Sequence, residues 1–393
     1  MKHRAGETRP FKLLMKYFPL LAFVLLFACS GPPEVTQSPA QANFAPIDSA
    51  GLEGATIDWN ADSLIAPDEK HFAHLRKLTY GGNNAEAYWS FDGKRLSFQS
   101  DFADWGHGCD QIHVFDPFHD DLSKGAPQQL SLNGGRTTCS YFMPGDSLVL
   151  FASTESGGKE CPHTAPHKPG GKYLWNIYKD YDIYVSGLKG ERLGQLTKQL
   201  GYDAEATVSP KGDRIVFTSV RDGDLDLYTM SIDGSDVKRI TTELGYDGGA
   251  FFSPDGSMLC WRASRPKTRE EVKEYTDLLK QGMVQPTSME LFIANADGSG
   301  AHSITSLGKA NWAPSWSHDG KKLIFASNHT SERGFPFTLY MINTDGTGLE
   351  QVSYSDAFDA FPMFSPDGRY LVFSSNRGGM NRETNLFLAE WKE

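Results

Sequence analysis

Carboxylates, amides and guanidiniums cluster at the ends of short apolar runs in this 393-residue chain. The acids and amides are Asn83, Asn84, Glu86, Asp203, Glu205, Asp247, Asn311 and Asp359; the bases are Arg221, Arg262, Arg265, His329 and Arg377. Brought to one mouth, they could grip a peptide, a sugar or a polar small molecule through two-pronged hydrogen bonds. Asp203 and Glu205 also have the chemistry of an acid–base pair. The bland reading is a structural brace, and it is favoured for Arg221 and Arg377, whose positions recur along the chain. Glu86, Arg265 and a long insertion at Ser153–Asp182 stand outside the recurrence and are the better ligand candidates.

Thiols and imidazoles offer a second chemistry. His107 lies beside Cys109, and Cys161 is followed by His163 and His167 in CPHTAPH. These could form a Cys/His metal site, but the spacing fits no zinc ribbon or finger, and loop histidines usually hold nothing. No metal or other cofactor is expected. Cys109, Cys139 and Cys161 are disulfide candidates, with Cys139–Cys161 the preferred pair; Cys260 reads as a buried apolar residue. The chain has no GxSxG, HExxH or GxxxxGK[ST] motif. No catalytic residue is assigned, and the chain reads more readily as a binding protein than as an enzyme.

The elements that must position these residues repeat. WSFDGKRLSF (Trp89–Phe98), FMPGDSLVLF (Phe142–Phe151), VSPKGDRIVF (Val208–Phe217), FSPDGSMLCW (Phe252–Trp261), WSHDGKKLIF (Trp316–Phe325) and FSPDGRYLVF (Phe364–Phe373) share one internal spacing. Each reads as a hairpin whose turn uses Pro to preset φ and Gly to take positive φ. A second hairpin with Asp-Gly at its bend follows in most copies, as in LYMINTDGTGLEQV (Leu339–Val352). Two hairpins make a four-stranded blade, with strands a to d running outward. The outer strands end in Leu-Thr or a close variant: Leu78-Thr79, Leu130-Ser131, Leu196-Thr197, Ile240-Thr241, Ile304-Thr305 and Val352-Ser353. The first of these precedes every hairpin, while the C-terminal NLFLAEWKE (Asn385–Glu393) supplies only a third strand. The segment near Leu78 is therefore expected to complete the last blade and close the ring.

The pattern resembles the PD40 (WD40-like) repeats of TolB-like six-bladed β-propellers over residues 72–393. The resemblance implies an all-β, six-bladed fold, and it extends to the propeller of TolB but not to that protein's separate N-terminal α/β domain. Because the a–b and c–d turns share one face, the b–c and d–a connections share the other. Two long b–c insertions, Ser153–Asp182 and Arg262–Glu290, make that second face the expected binding face. Within the latter, Thr268 and Glu271 form a capping box ahead of Val272, Tyr275 and Leu279, so one amphipathic helix ending at Gly282 is expected. It could be a lid or a helix packed on its own blade.

The N-terminus reads as an address. Lys2, Arg4, Arg9, Lys12 and Lys16 precede the apolar run Tyr17–Ala28 and then Cys29. Leu26–Cys29 resembles the bacterial lipobox, which implies a signal peptide over 1–28 and lipidation of Cys29; Ser30 at the next position favours the outer membrane, facing the periplasm. Residues 29–71 read as a flexible tether, since Gly31–Gly51 is rich in Pro, Ser, Ala and Gln. The formal charge of −11 disfavours nucleic acid and anionic lipid surfaces. These features together suggest a cell-envelope lipoprotein whose propeller binds a protein or peptide. The alternatives are a periplasmic polysaccharide lyase or hydrolase acting at the channel mouth, and a spacer subunit of a larger assembly.

Overall fold

The computed structural model of the chain describes residues 57–164, 172–332, 334–379 and 383–393. Six antiparallel four-stranded sheets follow one another in chain order. Blade 1 runs Asn84–Trp89, Leu96–Ser100, Gln111–Phe115 and Gln128–Gln129; blade 2 runs Thr137–Phe142, Leu148–Ser153, Asp182–Gly187 and Arg192–Gln195. Blade 3 comprises Asp203–Val208, Arg214–Ser219, Asp226–Ser231 and Lys238–Arg239, and blade 4 comprises Asp247–Phe252, Met258–Ala263, Glu290–Asn295 and His302–Ser303. Blade 5 holds Asn311–Trp316, Lys322–Ser327, Thr338–Asn343 and Glu350–Gln351. Blade 6 takes Asp359–Phe364, Tyr370–Ser375 and Asn385–Trp391 from the C-terminus, and its outer strand, Phe72–Lys77, from the other end of the propeller. The clasp pairs Leu75 with Ala389 and Lys77 with Phe387, so the expected ring closure is present.

The core lies between adjacent sheets. The aromatic that closes each repeat (Phe98, Phe151, Phe217, Trp261, Phe325 and Phe373) is at most 1% exposed. Burying such a ring stabilises the fold by about 1.5–3 kcal/mol each. The Leu-Thr mark has a local cause. In every blade its hydroxyl accepts a hydrogen bond from a strand c amide: Thr79 from Leu386, Ser131 from Ile112, Thr197 from Ile183, Thr241 from Leu227, Thr305 from Leu291 and Ser353 from Leu339, at 2.8–3.0 Å. The short outer strands are thereby tied to the sheet by side chains where ladder bonds run out.

Strand a of every blade carries a bulge. Its third residue has positive φ in all six: Glu86 (55°), Cys139 (49°), Glu205 (55°), Gly249 (62°), Ala313 (49°) and Phe361 (54°). The register shifts at this point in each a–b pair. A bulge re-aims a side chain and stores strain, and here it sets one residue per blade around the channel.

The helix α1 (Arg269–Lys280) starts at the expected capping box, in which Thr268 accepts from the Glu271 amide at 3.1 Å and Glu271 accepts from the Thr268 amide at 2.9 Å. Residues 57–71, expected as the end of the tether, are instead packed on the propeller. Ala61 is buried, Trp59 stacks on His74 at 5.3 Å, and Glu69 is 2% exposed against Arg377. The Pro- and Ser-rich composition that suggested a tether stops short of this stretch, which has apolar groups of its own to bury.

Candidate functional site

At the mouth where the b–c and d–a connections lie, a cavity of about 540 Å³ opens above the ring of bulged residues. Its floor includes Glu86, Cys139, Glu205, Arg262 and Phe361, and its walls include Tyr202, Tyr246, Trp312 and Phe358. Residues Tyr173–Tyr178 and Tyr181 of the blade 2 insertion also line it. That insertion is held across the face by the blade 4 insertion. Trp175–Asn176 pairs antiparallel with Met283–Val284, and the Ile177 amide donates to the Gly282 carbonyl at 2.7 Å. Two segments that look like independent loops in sequence thus form one two-stranded bridge. Below, Tyr88, Tyr141 and Phe251 stand with ring centroids 5.7–6.2 Å apart and close the middle of the channel. On the opposite, turn-bearing face a separate hollow of about 480 Å³ is lined by Trp89, Phe91, Trp316, Phe364 and the turn prolines.

Arg262 is the electrostatic centre of the cavity floor. Its guanidinium donates to Glu205, donates to the Tyr246 hydroxyl at 2.9 Å, and lies over the rings of Trp175 and Tyr246 at 5.1 and 5.5 Å. Burial works against its charge, but Glu205, Tyr246 and Glu86 outweigh that and hold its pKa above the ordinary value. Gly249 leaves room beneath it, since a Cβ there would meet the Arg262 guanidinium. Glu205 is fully engaged: Tyr246 at 2.7 Å, Thr218 at 2.8 Å and the Gly249 amide at 3.1 Å also donate to it. Glu86 accepts from the Cys139 thiol at 2.9 Å and the Tyr88 hydroxyl at 3.2 Å. Burial pushes the Glu86 carboxyl above the usual range and drives the Cys139 thiol well above its own.

Of the candidate residues, the structure brings Glu86, Glu205 and Arg262 to the cavity. Asp203, Asp247 and Asp359 begin strand a of their blades and pair with Arg221, Arg265 and Arg377 just past strand b, at 2.9, 2.8 and 2.7 Å. Arg265, expected to stand outside the repeat, occupies the repeated position and also pairs with Glu243 at 2.9 Å. Asn311 and His329 hold the equivalent places in blade 5: Ser327 donates to the Asn311 side chain at 2.6 Å, and its hydroxyl lies 2.9 Å from His329 Nδ1. All of these tie the start of strand a to the b–c turn.

The cysteines form a different pair from the preferred one. The disulfide is Cys109–Cys161, and Cys139 is a free thiol on the cavity floor. The physical reason is the bulge, which turns Cys139 into the channel, whereas Cys109 sits in the b–c connection of blade 1, facing the insertion. His107 Nε2 lies 3.0 Å from His113 Nε2, beside this disulfide and outside the cavity. Burial lowers the His113 pKa to about 3. Cys161 is consumed by the disulfide, His163 is exposed, and His167 lies outside the described residues. Among the described residues no group of three or more His, Cys, Asp or Glu could hold a metal ion.

Sequence reasoning missed the aromatic walls. A signal was present in LGYDAE (200–205) and LGYDGG (244–249), where the same Gly-Tyr precedes the Asp that begins strand a and places Tyr202 and Tyr246 on the cavity. Trp175, Phe358 and Phe361 had no such mark. Helix α1 supplies no residue to the cavity; it packs beside Met283–Val284 and its Tyr275 donates to Asp224, so it is not the lid over this mouth.

Six blades around a plugged channel, closed by an N-terminal strand, define the molecule as a six-bladed β-propeller with a hollow at one mouth. The family described as TolB beta propeller domain (PD40) matches residues 164–288 and 283–383, and the chain belongs to that family. No curated protein matches it by sequence. Among solved structures it is similar to a putative TolB from Agrobacterium tumefaciens, at 19% identity and a TM-score of 0.51, covering 79% of this chain and 91% of that one. TolB from Acinetobacter baumannii aligns at 16% identity and a TM-score of 0.49, covering 80% of this chain and 66% of that one. An oligogalacturonate lyase from Vibrio parahaemolyticus aligns at 13% and 0.47, covering 83% and 95%.

Proposed function

We propose that the protein is a cell-envelope lipoprotein whose propeller binds a protein or peptide partner at the bridged mouth. In this reading residues 1–28 are an export signal, Cys29 carries lipid and places the chain at the outer membrane on its periplasmic side, and the residues ahead of 57 tether the disc. Among the described residues no helix is long and apolar enough to cross a membrane. The observation that carries the binding role is the cavity itself. About 540 Å³ of space, walled by aromatic rings with a few convergent polar groups on its floor, has the size and make-up of a recognition site. The insertions that bridge it add surface where an extended segment could lie.

Photo-crosslinking tests the reading. A photoreactive residue replacing Tyr173 in cells should give one dominant protein adduct, and the same residue replacing His318 on the turn face should give none. Adducts from His318 alone would overturn the proposal. So would turnover of a glycan panel that is lost on Glu86→Ala, which would make the cavity a lyase or hydrolase site. Mass spectrometry of the mature N-terminal peptide should find Cys29 bearing acyl chains, and Cys29→Ser should abolish them.

A further inference from the structure

Among the described residues, the cavity lining carries one more carboxyl than it has cations. Glu205 is matched by Arg262, and Asp110, also in the lining, is matched by Arg136. Among the described residues the donors to Glu86 are neutral, and both the Cys139 thiol and the Tyr88 hydroxyl end on its Oε2. Among the described residues no donor reaches Oε1. The titratable groups facing Glu86 are Tyr88 on its own strand, Cys139 from blade 2, Glu205 from blade 3 and Arg262 from blade 4. Blades 5 and 6 offer the uncharged Ala313 and Phe361 at this level.

Three ligand chemistries can be weighed against that arrangement. An anion would add negative charge to a floor where Glu86 already faces Glu205. A wholly apolar group would leave Glu86 buried without a charge partner, at the cost of desolvating it further. A primary ammonium supplies the missing positive charge, and its alkyl stem suits the walls of Trp175, Phe358 and Phe361, whose ring faces also attract cations. The net formal charge of −11 draws cationic groups toward the molecule from a distance.

Resting on the reading of this mouth as a peptide site, we propose that the cavity takes a primary ammonium of the partner, a lysine side chain or a free N-terminus, on Glu86. Burial keeps Glu86 protonated to a higher pH than a free carboxyl. Tyr88 and Cys139 are raised too and stay neutral, so Glu86 is the group that gives up its proton. Binding of the ammonium expels that proton, and affinity therefore rises with pH until Glu86 ionises unaided.

Calorimetry on the full chain in detergent, titrated with acetyl-Gly-Lys-Gly-amide and its norleucine counterpart, tests this. The lysine peptide should bind at least about tenfold more tightly. A norleucine peptide with a free N-terminus distinguishes the two sources of ammonium. Glu86→Gln, checked for an unchanged melting curve, should erase both the lysine preference and the pH slope. Equal binding of the lysine peptide, the acetylated norleucine peptide and the free-N-terminus norleucine peptide by the unaltered protein overturns the inference, as does a pH slope that survives in Glu86→Gln. If crosslinking from Tyr173 persists while lysine preference is absent, the partner-binding role stands and the ammonium assignment falls. If lysine binds selectively but no adduct forms, the reverse holds.

Discussion

His113 shows how a single residue couples burial to pH. Its ring is 1% exposed, packed by Phe98 and Trp105, and its pKa is lowered to about 3 from an ordinary 6.5. A histidine whose folded pKa is depressed stabilises the fold fully above its unfolded pKa and loses that contribution as pH falls. Stability should therefore drop between about pH 6.5 and pH 3, and His113→Phe should move the acid unfolding midpoint, followed by circular dichroism, to lower pH. Arg262 illustrates the opposite case, a buried charge whose partner cannot do without it. Arg262→Ala leaves Glu205 uncompensated and should cost about 3–5 kcal/mol in urea unfolding. Arg262→Lys should recover only part of this, because an ammonium lacks the planar face that the guanidinium lays over Trp175 and Tyr246.

At the level of elements, the insertions of blades 2 and 4 depend on each other. The two-residue bridge between Trp175–Asn176 and Met283–Val284 is too short to persist alone, and Cys109–Cys161 anchors the upstream part of the same insertion to blade 1. Cys161→Ser should lower stability by about 2–4 kcal/mol or less and expose the segment around residues 155–164 to limited proteolysis, while the blades stay resistant. Resistance of that segment in the reduced protein would show that the bridge needs no covalent anchor. The bulges are a second element-level device. Six left-handed residues at one position of strand a set what enters the channel, and they were invisible in sequence because Glu, Cys, Gly, Ala and Phe share no pattern.

For the whole molecule, closure is the decisive interaction. The clasp joins Phe72–Lys77 to Asn385–Trp391, and Glu69 adds a buried link to Arg377 at 3.0 Å. Removing residues 72–77 opens an edge and strips the cover from Phe373 and Phe387, whereas removing residues 30–50 takes away chain read as tether. The first deletion should lower Tm sharply and the second leave it unchanged, with differential scanning calorimetry as the measurement. Comparable loss in both would mean that the N-terminal region ahead of residue 57 stabilises the disc.

Repeats, turns and strand order were legible because they are local. A Pro-Asp-Gly bend or a Leu-Thr ending acts through bonds within a few residues or to the adjacent strand, so its imprint recurs with each blade. Even the clasp could be read, since a missing strand at one end must be supplied from the other. The site was legible only where polar residues fell near strand ends, which picked out Glu86, Glu205 and Arg262 together with others that brace or lie elsewhere. Tertiary structure alone decided the rest: which cysteines meet, that two distant insertions pair, and that residues 57–71 join the disc. Those contacts lie between segments whose approach depends on the curvature of the finished ring, and no short stretch of chain carries that information.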